Sequence, residues 1–186
     1  MRKKDKSFSR ERWLELALEA MENECISKFS LDSLIKAMPV TKGSFYSHFK
    51  NRTDFLLALV EFWERHHTRT VVAAIDALPE CSSAQDKLWE LISVVYDMDF
   101  NRDELIIRSL SLEFPQIRDS IKRVDDLRLK TVGQLFADMG FTGDELETRT
   151  RSFVVVNSQD KMVLSDISPE DYERHLRLRF EFFTRP

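Results

Sequence analysis

The sequence spends only four glycines and five prolines on 186 residues. So little punctuation excludes a fold of many hairpins or one strung on flexible linkers, both of which draw on Gly and Pro at their turns. Its two cysteines, Cys25 and Cys81, stand far apart and without metal-ligand spacing, which argues against a disulfide framework and against a zinc site. No apolar run approaches the roughly 20 residues that span a bilayer as helix. The basic opening MRKKDKSFSRERW leads into an amphipathic pattern rather than the apolar core of a signal peptide. There is no glycine-rich phosphate loop, no paired-histidine motif and no nucleophile elbow; His66 and His67 are adjacent, not four apart. These absences predict a protein without metal or cofactor, not an enzyme, soluble and resident in a reducing cytoplasm.

What is present is an ordinary globular composition, 42% hydrophobic and 32% charged, in a chain long enough to bury one or two cores. With turn residues scarce, an all-α fold is expected. Charge is divided unevenly. Residues 1–52 hold 11 Lys and Arg against 7 Asp and Glu, net +4, while the remainder holds 17 against 25, net −8. That asymmetry points to an anionic partner at the basic end, although a solvated helix face has the same composition.

Periodicity divides the basic end into short helices. Ser9 suits the N-cap of a first helix whose Leu14, Ala17, Leu18 and Met21 follow the spacing of a buried stripe. Ser30 suits the cap of a second, with Asp32 in its first turn and Leu31, Leu34, Ile35 and Met38 inward, ending at Pro39. Thr41 caps a third, KGSFYSHF, in which Phe45 and Phe49 share one side and Lys42, Gly43, Ser44, Tyr46, Ser47 and His48 are left outside. Asn51 caps a longer fourth helix with Phe55, Leu56, Leu59, Phe62, Trp63 and His66 on one face. Beyond Pro79, further helices are predicted near 83–98, 102–113, 115–139, 144–164 and 169–183. Capping-box patterns stand at Ser82–Gln85, Asn101–Glu104 and Thr142–Glu145, Ser168 with Pro169 marks a start, and Gly140 marks an end.

Two short helices joined by a tight turn, the second with an exposed polar face, form a helix-turn-helix, whose second helix enters the DNA major groove. Lys42, Lys50 and Arg52 suit phosphates, and Ser30, Ser44, Tyr46 and His48 can hydrogen-bond them. Gly43 would let backbone approach a base edge, with Lys42 and Ser47 reaching into the groove.

Residues 10–66 resemble the DNA-binding segment of the TetR family of bacterial transcriptional regulators. The stretch VTKGSFYSHFKNRTDFLLAL carries the likeness, through Lys42-Gly43, Tyr46, His48-Phe49, Arg52 and Phe55-Leu56 at the family's spacing. Two departures stand out. Met38 and Pro39 occupy the place of the family's small-Gly turn, and Ile35 stands where an Ala is usual. The resemblance implies that Lys42, Gly43 and Ser47 face bases and that Ser30, Ser44, Tyr46, His48 and Arg52 hold the backbone, with Thr41 and Lys50 beside them. The arm Arg2, Lys3, Lys4 and Lys6 is either a further DNA contact or a solvated tail. Residues 1–52 would be the DNA-binding domain, about 52–70 a connecting helix, and 71–186 a helical domain for effector binding and dimerisation.

The expected function is therefore a repressor that binds a palindromic double-stranded operator as a homodimer and is released by a small-molecule effector. For the effector, Trp63, Trp89, Phe100, Phe114 and Phe136 are candidates, with core packing the competing use. For the dimer, helices 144–164 and 169–183 offer Phe153, Asn157, Tyr172, Leu176, Phe180 and Phe183, with packing inside the subunit competing. Two other classes stay open: a helical protein-interaction module that has the helix-turn-helix shape with little DNA affinity, and a small helical enzyme with catalytic residues distant in sequence.

Overall fold

The computed structural model describes residues 8–23, 30–98, 101–159 and 167–185, which form helices with no strand among them. The helices are α1 (Arg10–Asn23), α2 (Leu31–Ala37), α3 (Lys42–His48), α4 (Arg52–Glu64), α5 (Thr70–Asp76), α6 (Ala84–Asp97), α7 (Asn101–Glu113), α8 (Arg118–Asp138), α9 (Gly143–Gln159) and α10 (Pro169–Thr184). A π-helical turn, Arg65–Arg69, joins α4 to α5, and a 3₁₀ turn, Pro115–Ile117, precedes α8. The chain forms two compact units. One contains the described residues up to His66 together with Leu105–Lys122; the other contains His67–Glu104 and the described residues from Arg123 onward.

In the first unit α1 packs against α2 and α4. Each helix start is closed by the side chain its sequence offers. The hydroxyls of Ser9, Ser30 and Thr41 accept the N–H of Arg12, Ser33 and Ser44 at 3.1, 3.4 and 3.1 Å, and the Asn51 carboxamide accepts that of Asp54 at 2.9 Å. Such caps satisfy donors that the first turn leaves open, each contributing about 1 kcal/mol. Leu14, Ala17, Leu18, Met21, Leu34, Ile35 and Met38 are buried as their spacing requires, and Trp13 joins them without any exposure. Its indole meets Phe45, Phe49 and Phe55 edge-on, with centroids 5.5, 5.7 and 6.0 Å away. Edge contacts of this kind add about 0.5–1.5 kcal/mol each to the burial itself.

The turn between α2 and α3 needs no glycine. Met38 ends α2 in the extended region (φ −94°, ψ 154°), with its N–H still bonded to Leu34 O at 3.1 Å. Its side chain and that of Val40 are buried while Pro39 stays outside, so apolar anchoring replaces the flexible turn. Ile35 is accommodated in the same core at 8% exposure.

The face expected to run on to His66 changes at the π-helical turn. Because such a turn holds an extra residue, His67 and Thr68 are buried, whereas His66 is exposed, with Nδ1 2.9 Å from Phe62 O.

In the second unit α6 packs against α5 and α10. Its core gathers Val71, Ile75, Leu88, Leu91, Ile92, Val132, Leu135, Phe136, Phe141, Phe153, Leu176 and Phe183. The capping box of α6 is built on Ser83 with Asp86, one residue later than the expected Ser82 pattern. The helix expected from 115 begins as the 3₁₀ turn, with Pro115 at its first position. Gly140 follows α8 at φ +98°, a left-handed position that suits glycine. Ser168 caps α10, accepting the Asp171 N–H at 3.1 Å, with Pro169 at the first helical position. The Asn101–Glu104 capping pattern depends on side chains outside those described, as do Cys25, Phe100, Asp160 and the basic arm.

Candidate functional site

The geometry of α3 follows from its two inward phenylalanines. Phe45 and Phe49 are buried at 0% and 1% exposure, so the intervening residues are turned outward. Tyr46 is 55% exposed, and Lys42, Gly43 and Ser47 are exposed beside it, with His48 half-buried. Lys42 Nζ lies 3.3 Å from Asp32 Oδ1, linking α3 to α2 across the turn through two largely solvated side chains. The Ser47 hydroxyl donates to Ser44 O at 2.7 Å. Lys50 is exposed, and its N–H donates to Asp54 Oδ2 at 2.8 Å. Ser30 and Thr41 are half-buried, their hydroxyls occupied as caps.

Gly43 is not required by the protein's own packing. A Cβ there would meet only Thr41 Oγ1, at 3.8 Å. What its missing side chain leaves open is the outer surface of the first turn of α3.

Two expected contacts are placed elsewhere. Ser44 is 7% exposed rather than outside, and its hydroxyl accepts the Trp13 Nε1–H at 3.1 Å. The residue follows Gly43 round the helix into the aromatic core, which takes its side chain away from the outer face. Arg52 is half-buried, with its guanidinium carbon 4.2 Å from the centroid of the Phe114 ring and Nη2 3.4 Å from Glu113 Oε1. Both partners lie within the first unit. A basic residue absent from the expected set lies nearby: the Arg10 guanidinium carbon is 5.3 Å from the Phe49 ring centroid, at the end of α3. Only the fold brings these two together, because 39 residues separate them in sequence.

The second unit holds a cavity of about 70 Å³. Val71, Val72, Leu91, Val95, Val132, Phe153 and Val154 supply most of its wall, and Thr68, Glu104, Arg128, Asn157 and Ser158 supply polar groups. The expected effector residues that are described, Trp63, Trp89, Phe114 and Phe136, are not among those lining it. Trp63 and Phe114 are core residues of the first unit, Phe136 is fully buried among Phe141, Phe153 and Phe183, and Trp89 is half-buried against Phe180. Instead two residues expected at a dimer interface line the cavity: Phe153, and Asn157, whose Nδ2 donates to Phe153 O at 2.8 Å.

The remaining dimer candidates also turn inward. Leu176 and Phe183 are buried in the core of their own unit, and Tyr172 and Phe180 are packed against it, with Tyr172 stacked on Tyr96 at 5.4 Å. The apolar side chains that α10 leaves exposed are Leu178 and Phe182, at 55% and 75%, while α9 exposes Val155 at 49%. Among the described residues, no three His, Cys, Asp or Glu side chains cluster as metal ligands, and no helix is long and apolar enough to cross a membrane.

An all-helical chain with a helix-turn-helix in its first unit and a cavity in its second defines a class of architecture. That architecture has solved relatives. The chain is similar to a TetR-family transcriptional regulator from Streptomyces coelicolor, at 22% identity and a TM-score of 0.72 over 95% of this chain and 94% of that one. It is also similar to a TetR transcriptional regulator from Legionella pneumophila, at 14% identity and a TM-score of 0.74 over 96% and 98%. The fold is that of the TetR-family regulators. In sequence, 65 residues are 35% identical to the transcriptional regulator AcuR of Cereibacter sphaeroides, a match spanning 35% of this chain and 30% of that protein. No family model matches the chain.

Proposed function

We propose that this protein is a DNA-binding transcriptional regulator that reads an operator with α3. The observation that carries the reading is the division of α3 into a face locked by Phe45 and Phe49 and a face that presents Lys42, Gly43, Tyr46 and Ser47 to solvent. A short helix so anchored keeps a fixed orientation while its outer side chains meet a groove. Lys42, Gly43 and Ser47 face bases on this reading, and Ser30, Thr41, Tyr46, His48 and Lys50 meet the sugar-phosphate backbone. Ser44 and Arg52 have internal partners and serve the packing of the head instead.

The regulator works as a homodimer on a palindrome. Two recognition helices set about 34–36 Å apart read successive major grooves, so their contact free energies act on one operator. A small molecule in the cavity that favours a conformation holding the two recognition helices at another separation must, by linkage, weaken DNA binding. Repression relieved by an effector is the form of regulation this favours.

Selection of bound duplexes from a random DNA library, followed by a salt titration on the enriched sequence, tests the reading. A palindrome whose affinity falls by roughly 10³–10⁵ between 50 and 200 mM salt is the expected result for 6–10 phosphate contacts. Absence of enrichment from folded protein would replace the regulator reading with that of a protein-interaction module.

A further inference from the structure

The cavity of the second unit is lined largely by apolar side chains, yet it already contains a complete ion pair. Arg128 Nη1 lies 2.9 Å from each oxygen of the Glu104 carboxylate and 3.4 Å from Ser158 Oγ. Arg128 Nε donates to Thr68 Oγ1 at 3.0 Å. The Glu104 side chain is 5% exposed and that of Arg128 16%, so both charges stand largely out of water. They come from α7 and α8, and among the described residues of the lining there is no other carboxylate or guanidinium.

A pair satisfied in this way fixes what a third group can be. A carboxylate entering beside Arg128 meets the Glu104 charge, and an ammonium entering beside Glu104 meets that of Arg128. Either would be desolvated without a counter-charge of its own, which is strongly unfavourable inside a protein. An uncharged molecule avoids that cost. Its apolar part gains from burial against Val71, Leu91, Val132 and Phe153, and a single carbonyl or hydroxyl finds partners among Thr68, Ser158 and Asn157.

We propose that the cavity binds a small uncharged molecule with one hydrogen-bonding group and rejects the carboxylate and the amine of the same shape. Effector control of DNA binding by this molecule rests on the regulator reading above; its selective binding does not.

The test uses four-carbon probes of matched shape: butanamide, 2-butanone, butanoate and n-butylammonium. Their binding to the full chain is followed directly, by ligand-detected NMR at pH 8. His67 also stands in the lining. The two neutral probes should bind at least about 10-fold tighter than the ions. Glu104→Gln leaves Arg128 uncompensated and should reverse the order in favour of butanoate. Should that variant fail to fold, Val154→Phe fills the cavity and should abolish neutral-probe binding in a chain that keeps its helix content. Butanoate binding as tightly as butanamide in the native protein, no saturable binding of either neutral probe, or neutral-probe binding unchanged by Val154→Phe would overturn the proposal. DNA binding is measured separately. Loss of DNA binding with probe selectivity intact would remove only the regulator reading, and DNA binding without selectivity would remove only this one.

Discussion

The indole N–H of Trp13 on α1 donates to the hydroxyl of Ser44 on α3 across 3.1 Å, in a site where neither residue exceeds 7% exposure. This bond fixes α3 to the rest of the first unit at the turn where its outer face begins. Each partner is the other's means of satisfying a buried polar group. Trp13→Phe and Ser44→Ala should therefore each destabilise the protein by about 1–3 kcal/mol, and the double variant by less than their sum. Urea denaturation of the four proteins measures the coupling. If Ser44→Ala left stability unchanged and lowered DNA affinity with a shallower salt dependence, Ser44 would be a phosphate contact after all.

Gly43 separates stability from recognition in a different way. Its Cβ position is open but for Thr41 Oγ1 at 3.8 Å, so the fold tolerates alanine there. Alanine is the better helix former by up to about 1 kcal/mol, and Gly43→Ala should raise the denaturation midpoint. The added methyl stands where a base edge would approach, so affinity for the selected operator should fall. A variant that is both more stable and equally tight on DNA would show that the close approach does not occur.

How much of this could be read in advance depended on the range of the interaction. Ser9, Ser30, Thr41, Asn51 and Ser168 announce helix starts because a cap acts within three residues. The inward set from Leu14 to Phe55 follows from helical period. Both signals are local, and both survive in the structure. Contacts made across long sequence distances left no such trace. Trp13 with Ser44 spans 31 positions, Arg128 with Glu104 spans 24, and Arg128 with Thr68 spans 60. The cavity rests on the last two, which is why aromatic residues stood in for its lining. On α10 the stripe of Tyr172, Leu176, Phe180 and Phe183 was legible as a stripe, but periodicity does not say which body covers it.

A pH dependence follows from the start of α6. The Ser83 hydroxyl and N–H both donate to Asp86 Oδ2, at 2.7 and 2.9 Å, and the Asp86 N–H donates back to Ser83 Oγ at 3.1 Å. The hydroxyl bond first, and the backbone bond second, hold the Asp86 carboxyl below its ordinary range. At α10 the Ser168 hydroxyl, followed by the charge of Arg174, lowers Asp171 in the same sense. A carboxylate whose pKa is depressed by folding contributes stability above its unfolded value, about 3.9, and loses it as pH falls through the lower folded value. Asp86→Asn should thus be less stable than the native protein at pH 7, with the difference closing below pH about 3.9. Denaturation curves across that interval check it; a difference independent of pH would assign the effect to shape rather than charge.

The dimer proposal turns on which side of α10 is left over. Leu178 and Phe182 lie four residues apart and are 55% and 75% exposed, while Leu176 and Phe183 are 6% exposed within their own core. A partner helix would therefore meet Leu178 and Phe182, and the two sets of residues should respond differently to substitution. Leu178→Glu with Phe182→Glu should convert a species of twice 21.9 kDa into the single chain with helix content retained. Leu176→Ala should instead destabilise the fold by about 2–5 kcal/mol through the cavity it leaves. Sedimentation equilibrium combined with thermal melting distinguishes the two effects. The monomeric variant should also lose most of its affinity for a palindrome, since each α3 would then hold its half-site alone. A double-glutamate variant that remained dimeric would exclude this face of α10 and direct the search to other exposed apolar residues, among them Val155 on α9 and Leu105 and Leu112 on α7.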